Sequence, residues 1–186
     1  MNKLLLNVDC QNDFITGSLA VKGAVETTDR LISRLLDEND LKNTYKDKFF
    51  TLDWHPFNHV SFKEWLPHCI QHTVGAAIYP PLFATIYQCS GENKFLTKGN
   101  LEGKDEYSVF KNYFSGNVLV RALERNKYDE IHVCGIAGDF CVFNTIKDLI
   151  ELGYKDKIVV LLDCTASIDG GTKLMELIKQ YNLKTL

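Results

Sequence analysis

The feature of this sequence that most constrains its fold is a set of five short apolar runs, each of which stops at or shortly before a residue with a reactive side chain. The runs comprise residues 4–8, 49–52, 95–97, 131–136 and 158–162. Continuous apolar runs of this length are typical of strands that are buried on both faces of a parallel sheet. The carboxyl ends of such strands share one edge, so the residues that follow the runs would converge on one cleft.

The residues that follow the five runs carry carboxylate, amine and thiol groups. They are Asp9, Asp53, Lys98, Cys141 and Asp163. Groups of these kinds that meet at one sheet edge can act together as acid, base, nucleophile and metal ligand. The pattern therefore indicates an enzyme.

Several segments between and after the runs have the apolar spacing of helices. They comprise residues 24–36, 118–123, 142–152 and 173–181, and a last short strand is expected at 183–186. Buried strands that alternate with helices indicate a sheet covered on both faces. We therefore predict a three-layer α/β/α fold with a mostly parallel, doubly wound, six-stranded sheet.

One long segment, residues 54–93, interrupts this alternation. It holds both tryptophans, all four prolines and four of the five histidines. A long irregular segment in a compact domain is usually functional, so we expect it to bind metal and substrate. The 186 residues, of which 45% are apolar, suit a single domain that spans residues 1–186.

Charge and hydropathy exclude several classes of partner. The formal net charge is −3 and the lysines are scattered, so there is no basic stripe for a nucleic acid to follow. No apolar run approaches the length needed to cross a membrane, and the start of the chain lacks the apolar core of a signal peptide. Several of the six cysteines lie in or beside apolar runs, which is typical of reduced, buried thiols. We expect a cytoplasmic protein, and a homo-oligomer remains open.

Three residues could form a catalytic group. Cys141 lies where a strand gives way to a helix, and a helix start favours a thiolate and offers free N–H groups to an oxyanion. Lys98 could depress the pKa of that thiol, and Asp9 could serve as general acid and base. Each residue also has a plainer interpretation: a small buried cysteine, a solvated lysine and a turn aspartate.

The long segment also holds a candidate metal site. Asp53 and His55 are two residues apart, so their side chains lean to the same side of an extended chain, while His59 and His68 follow nearby. An aspartate and histidines with open positions suit zinc or another divalent ion. Alternatively, these histidines are simply polar loop residues. We assign no ligand role to His72 or to His132, which is expected to form a core hydrogen bond.

Taken together, these motifs resemble the nicotinamidases, also called pyrazinamidases, of the isochorismatase-like cysteine hydrolase superfamily. The resemblance runs through the whole chain. The matching segments are residues 8–14, 17–21, 53–56 with His59 and 61–62, 65–69, 97–99, 107–110, 135–137 and 139–142. The resemblance implies the isochorismatase-like hydrolase fold, which agrees with the fold predicted from the apolar runs.

The resemblance also implies roles for individual residues. Cys141 would be the nucleophile, Asp9 the acid and base, and Lys98 the group that supports both. The amides of Ala137 and Cys141 would form the oxyanion hole, next to a cis peptide bond between Ile136 and Ala137. The metal ligands would be Asp53, His55 and His68, with His59 as a further candidate, and the pocket would be lined by Phe14, Leu19, Trp65, Tyr107, Ile136 and Phe140.

The activity that the resemblance implies is hydrolysis of nicotinamide, and of pyrazinamide, to the acid and ammonia through a thioester, as part of NAD salvage. The metal would be zinc, or another divalent ion such as Fe²⁺ or Mn²⁺, and no organic cofactor is needed. Two alternatives stay open. One is a related amidase that acts on a ureido or carbamoyl substrate, and the other is a non-enzymatic zinc or thiol-redox module in which Cys134 pairs with Cys141.

Overall fold

A computed structural model describes residues 2–37, 45–89 and 91–186. Six strands form one sheet, and every described strand pair is parallel. The strands are β1 (Lys3–Val8), β2 (Asp47–Asp53), β3 (Glu92–Lys98), β4 (Glu130–Ile136), β5 (Ile158–Ala166) and β6 (Lys184–Thr185). Their order across the sheet is β3-β2-β1-β4-β5-β6. The predicted α/β fold is confirmed, and the sheet is parallel throughout rather than mostly so.

Within the described residues, six α-helices and three short 3₁₀ turns accompany the sheet. The helices are α1 (Asn12–Ile15), α2 (Ala24–Leu36), α3 (Pro80–Gln88), α4 (Tyr113–Asn126), α5 (Cys141–Glu151) and α6 (Thr172–Tyr181). The bounds of α2 are those predicted from the sequence. The helix α3 was not predicted. It begins with proline, which is tolerated there because a backbone N–H at the first helical position has no partner within the helix.

The core lies on the two faces of the sheet, because side chains alternate along each strand. Leu4 and Leu6 of β1 pack with apolar residues of α4, α5 and α6, whereas Leu5 packs on the other face with residues of α2 and α3. The three layers of the prediction are therefore present. Helices on both faces leave the carboxyl edge of the strands open for a site.

The prediction that a strand ends at Asp163 was wrong. The strand β5 continues to Ala166, so Asp163 lies inside it and away from the carboxyl edge. Its carboxylate is exposed and lies 3.4 Å from the guanidinium of Arg34 on α2. An ion pair with a neighbouring helix explains why a charged residue is tolerated within the strand.

The segment between β2 and β3 is held close to the sheet by short backbone contacts. His55 forms a parallel bridge with Ile70, and Gln11 forms an antiparallel bridge with Ile78. These contacts bring the histidine-rich part of the segment to the carboxyl ends of β1 and β2. No helix among the described residues is long and apolar enough to cross a bilayer.

Candidate active site

The predicted catalytic residues Asp9, Lys98 and Cys141 meet at the carboxyl edge of the sheet. Asp9 follows β1, Lys98 ends β3 and Cys141 begins α5. The Lys98 ammonium lies 2.7 Å from Asp9 Oδ2 and 3.4 Å from Cys141 Sγ. It also donates to Oδ1 of Asp53 at 2.5 Å. All four side chains are buried, so these charges interact with little screening by water.

The carboxylate of Asp9 is fixed by a residue that the sequence analysis missed. The hydroxyl of Thr51 in β2 donates to Asp9 Oδ1 at 2.6 Å, and the Asp9 amide donates to the Thr51 carbonyl. Thr51 lies two residues before Asp53, so both side chains lean to the same side of the strand. That spacing is the signal by which Thr51 could have been found.

Burial controls the protonation of these groups. It raises the pKa of Asp9, which Lys98 counteracts only in part. Burial opposes the charge of Lys98, but Asp53 and Asp9 outweigh it and raise the Lys98 pKa well above its usual value. Burial, together with the nearby carboxylates, also raises the Cys141 pKa well above its usual value despite Lys98.

The expectation that Lys98 holds Cys141 as a thiolate therefore needs correction. Burial and the two carboxylates raise the pKa of this thiol more than the one ammonium lowers it, which favours the protonated form. The proton has an acceptor nearby, since the thiol, Asp9 and Asp53 offer atoms that lie within 4.8 Å of one another. The geometry suits a nucleophile that is deprotonated as it attacks.

The turn before Cys141 has a defined shape. The peptide bond between Ile136 and Ala137 is cis, as the resemblance implied. The Ala137 carbonyl accepts hydrogen bonds from the amides of Phe140 and Val142. The buried carboxylate of Asp139, whose role the sequence analysis missed, accepts two backbone N–H bonds from the loop before α6 at 3.0 and 3.1 Å. These bonds fix the turn that presents the thiol.

Asp53, His55 and His68 form a group that could hold a metal ion. Their ligand atoms lie within 4.8 Å of one another, and all three residues are buried. Nδ1 of His55 lies 3.1 Å from the Gly99 carbonyl, and Nδ1 of His68 lies 2.7 Å from the Leu66 carbonyl. A carbonyl can only accept, so Nδ1 carries the hydrogen in each ring. Each Nε2 is then left with a lone pair for an ion, which is the usual arrangement of metal-binding histidines.

The charges of this group also fit a cation. Burial lowers the pKa of His68 and so favours its neutral, ligating form. Burial alone would raise the pKa of Asp53, but Lys98 and His55 outweigh it and lower the Asp53 pKa. Burial opposes a charge on His55, but Asp53 outweighs it and raises the His55 pKa, so an ion bound here would displace a proton from that ring. With that proton displaced, the group offers one carboxylate and two imidazole nitrogens, a donor set that suits zinc.

His59 is not brought into the ligand group. Its Nδ1 accepts from the Ser61 hydroxyl at 2.6 Å, and its Nε2 donates to the Lys104 carbonyl at 3.0 Å. Both ring nitrogens are therefore used by the protein. The His59 ring stacks on that of His55 with centroids 4.0 Å apart. His59 therefore packs against His55 and has no ring nitrogen free for an ion.

Two residues outside the ligands hold them in place. The side chain of Gln11 bonds to both the backbone N–H and the carbonyl of Asp53, each at 2.7 Å. Gly99 has a φ of +64°, and a Cβ there would lie 2.4 Å from His55 Cε1, so no other residue fits without moving the imidazole. The sequence analysis assigned no role to either residue.

A second group of potential ligands, Asp9, Asp53 and Cys141, lies beside the first. The Lys98 ammonium contacts all three side chains. The Lys98 ammonium already stands among them, which disfavours a second cation there, and the metal-type group lies next to this second group. Asp53 belongs to both.

A pocket opens above the thiol and the metal-type group. Its walls include five residues that the resemblance implied: Phe14, Leu19, Trp65, Tyr107 and Phe140. The Trp65 indole donates to the Tyr107 hydroxyl at 3.2 Å, and its ring meets that of Phe140 edge-on at 5.0 Å. A small flat molecule between aromatic walls would reach both Cys141 and the histidines.

The pocket prediction was wrong for Ile136 and incomplete elsewhere. Side chains alternate along β4, and Ile136 points into the core cluster on the α2 and α3 side of the sheet. Four lining residues were not predicted: Val21, Ser61, Asp105 and Ile168. Asp105 is notable among them because it brings a carboxylate to the mouth.

The remaining polar candidates lie away from the site. His132 lies 3.0 Å from the Tyr45 hydroxyl and 3.0 Å from Glu130, which confirms the expected core hydrogen bonds. Cys134 lies in the cluster on the opposite face of the sheet from Cys141. The structure therefore gives no support to a redox pair of these two cysteines.

Comparison with known proteins connects this geometry to a family. A profile of the isochorismatase domain matches residues 3–184. A nicotinamidase/pyrazinamidase of Mycobacterium tuberculosis is 32% identical, with 94% of this chain and 92% of that protein covered. The match spans nearly the full length of both proteins, so the likeness is not confined to the catalytic motifs.

Solved structures share the fold as well. A pyrazinamidase of Pyrococcus horikoshii in complex with zinc aligns with a TM-score of 0.82 at 25% identity, covering 100% of this chain and 99% of that one. A yeast nicotinamidase bound to the inhibitor nicotinaldehyde aligns with a TM-score of 0.83 at 27% identity, covering 99% of both chains. The similarity therefore includes the whole sheet and the edge that carries the site.

Proposed function

The chain belongs to the isochorismatase domain family, and from this premise we propose that it is a nicotinamidase in which Cys141, Lys98 and Asp9 hydrolyse nicotinamide to nicotinic acid and ammonia. It is a hydrolase that acts on a carboxamide, as its curated relatives are. The observation that carries the residue roles is the buried contact of one ammonium with a thiol and two carboxylates. Pyrazinamide is a second expected substrate.

In the first half-reaction Asp9 takes the thiol proton as Cys141 Sγ attacks the carboxamide carbon. The oxyanion is held by the amides of Ala137 and Cys141. Lys98 keeps its proton throughout and offsets the negative charge that moves between the thiol and Asp9. Asp9 then returns the proton to the departing nitrogen, ammonia leaves, and the acyl group remains on Cys141 as a thioester.

In the second half-reaction water replaces ammonia. Asp9, again ionised, takes a proton from this water as it attacks the thioester carbon. The same two amides hold the oxyanion, and the C–S bond breaks as Asp9 gives the proton to Cys141 Sγ, which releases nicotinic acid and restores the thiol. Phe14, Trp65 and Phe140 shield the reacting atoms and orient the flat ring.

Asp53, His55 and His68 would hold the metal ion. We propose zinc, which the donor set favours and which the Pyrococcus horikoshii relative contains. When bound, the ion would supply a Lewis-acid contact for the ring nitrogen of the substrate. Fe²⁺ and Mn²⁺ are the alternatives, and metal analysis of the purified protein distinguishes them.

The wider proposals follow from the same evidence. The match over residues 3–184 supports one domain. The described cysteines are all free, which supports a cytoplasmic location. The metal-type group favours a pyridine carboxamide over a ureido or carbamoyl substrate, because the resemblance implies that relatives acting on those substrates lack the Asp53–His55 pair.

The test is ammonia release from nicotinamide, pyrazinamide and a carbamoyl amino acid. We expect turnover of the first two, and loss of at least about 10³-fold in Cys141→Ala. Cys89→Ala, a half-buried cysteine at the end of α3, is the matched control and keeps wild-type activity. Undiminished turnover by Cys141→Ala would overturn the assignment, and preference for the carbamoyl compound would favour the alternative amidase.

A further inference from the structure

A carboxylate at the mouth of the pocket has no part in the mechanism above. Asp105 lines the pocket but is exposed, and it belongs to the loop that follows β3. Its charge acts on neighbouring groups. Besides burial, which is the largest cause, Asp105 raises the pKa of Tyr107. Glu64 acts on the Tyr107 pKa in the same direction.

Two lysines beside the walls of the pocket have other partners. The Lys104 ammonium lies 2.6 Å from Glu106 Oε1 and donates to the Lys111 carbonyl at 2.7 Å. Lys173 lies over the outer faces of Phe140 and Phe143. None of the ion pairs among the described residues includes Asp105, so its negative charge can act on whatever enters or leaves the pocket that it lines.

The proposed reaction changes the charge of its ligand. Nicotinamide is uncharged, whereas the carboxyl group of the product is ionised at neutral pH, since such groups have pKa values of about 4. A fixed negative charge at the mouth discriminates between the two: it leaves the affinity for the amide nearly unchanged and weakens the affinity for the acid.

We propose that Asp105 is a specificity-determining residue that disfavours the anionic product, and anionic aromatic ligands in general, relative to neutral amides. The inference rests on the proposed function. The physical basis is repulsion between the Asp105 carboxylate and the carboxylate of the ligand, a repulsion that water partly screens. Such a pair changes affinity by about three- to tenfold at low ionic strength and by less in high salt.

The test compares two competitive ligands of the metal-loaded enzyme, anionic nicotinate and neutral nicotinaldehyde. In Asp105→Asn we expect the inhibition constant of nicotinate to fall about three- to tenfold relative to the KM of nicotinamide. The ratio of the nicotinaldehyde inhibition constant to the KM of nicotinamide should be the same in the variant as in the wild type. Raising the ionic strength from 20 mM to 500 mM should remove most of the difference.

Glu102→Gln is the matched control. It removes the same charge from the same loop, but Glu102 does not line the pocket. We expect no change in the nicotinate constant for this variant. An unchanged inhibition constant of nicotinate in Asp105→Asn would overturn the inference. An equal fall in the constants of nicotinate and nicotinaldehyde would overturn it as well, because it would indicate a change in the shape of the pocket and not in its charge.

Failure of the proposed function would look different. If the wild-type protein released no ammonia from nicotinamide, the substrate assignment itself would be wrong. If ammonia is released but the Asp105→Asn ratio stays at the wild-type value, only the inference about the mouth fails.

Discussion

At the scale of single residues, the site depends on buried polar groups that hold one another in place. Lys98 contacts Asp9, Asp53 and Cys141, and each carboxylate has a further partner of its own. Thr51 bonds to Asp9, and Gln11 bonds to the backbone of Asp53. A buried polar group that loses its partner keeps its full desolvation penalty. These supporting residues should therefore matter almost as much as the reacting ones.

Replacing Thr51 with valine tests this directly. The change keeps the volume and the β-branch but leaves Asp9 Oδ1 without its hydroxyl donor. We expect the free energy of unfolding to fall by about 1–3 kcal/mol. We expect kcat/KM to fall at least about tenfold, because Asp9 is no longer held in its reactive position. Denaturant unfolding and ammonia release measure the two effects.

Thr51→Ser is the control for this prediction. Serine retains the hydroxyl, so most of the activity should remain. A Thr51→Val protein as stable and as active as the wild type would show that the hydroxyl does not position Asp9.

The residue scale also shows what the sequence could predict. Asp9, Lys98 and Cys141 could be found because each follows an apolar run, and strand ends meet in a parallel sheet. Gln11 and Asp139 could not be recognised as supports, since their partners are backbone atoms distant in the chain. The raised pKa of Cys141 depends on total burial, which no local pattern reveals.

At the scale of elements, a helix outside the pocket, α6, contacts one of the aromatic residues that line it. The Lys173 ammonium of α6 lies 5.1 Å from the ring centroid of Phe140 and 4.5 Å from that of Phe143. Phe140 in turn meets Trp65 across the pocket. A cation over two aromatic faces holds the wall that precedes the nucleophile. The position of α6 therefore affects the width of the pocket.

Replacing Lys173 with methionine should loosen this wall. The change keeps a long apolar side chain and removes the charge over the two rings. A cation–π contact at a partly exposed position contributes about 0.5–1 kcal/mol, so we expect KM to rise about two- to fivefold. The kcat should change by less than about twofold, because Lys173 touches none of the reacting groups.

Lys179→Met, which removes a charge from the last turn of the same helix, serves as the comparison. Its KM should equal that of the wild type. Equal KM values for the two variants, or a loss in kcat alone, would contradict a role for Lys173 in holding the wall.

Element boundaries were predictable where the buried face of a helix recurs at regular spacing. The bounds of α2 agree with the prediction, since Ala24, Thr28, Leu31 and Leu35 recur at the three- and four-residue spacing of one helix face. The helix α4 begins at Tyr113, five residues before the predicted start, because its first turn is stabilised by a cap: the Asn112 side chain accepts from the Ser115 amide at 3.1 Å. The end of β5 was predicted too early because the strand continues past Asp163, a charged residue that pairs with Arg34.

At the scale of the whole molecule, the proposed metal connects segments that are far apart in the chain. Asp53 ends β2, whereas His68 belongs to the long segment that returns to the sheet edge. The Cys69 amide next to His68 donates to Asp13 of α1 at 2.7 Å. An ion at this point would bind the folded state only, and so would stabilise it.

Removing the ion should therefore lower thermal stability together with activity. A ligand present at about 100 times its Kd adds about 2.7 kcal/mol, which corresponds to a fall in Tm of about 5–10 °C for a chain of this size. We expect a chelator to cause such a fall and to abolish ammonia release, with both restored by added Zn²⁺. Differential scanning fluorimetry and metal analysis are the measurements.

Two variants complete this experiment. His68→Ala should start at the lower Tm and no longer respond to the chelator. His72→Asn should behave as the wild type, because His72 lies outside the ligand group and asparagine tolerates its φ of +64°. Full activity and an unchanged Tm after metal removal would refute the role of the ion.

The parallel register of β2 and β3 has one further consequence. Asp53 and Lys98 stand directly opposite each other in that register, and β3 lies at one end of the strand order. A slip of β3 by a single residue would turn Lys98 towards the other face of the sheet. The apolar core could then form while the active site stayed incomplete. Recovery of ammonia release during refolding would therefore report the docking of the outermost strand, an event that far-ultraviolet circular dichroism would barely detect.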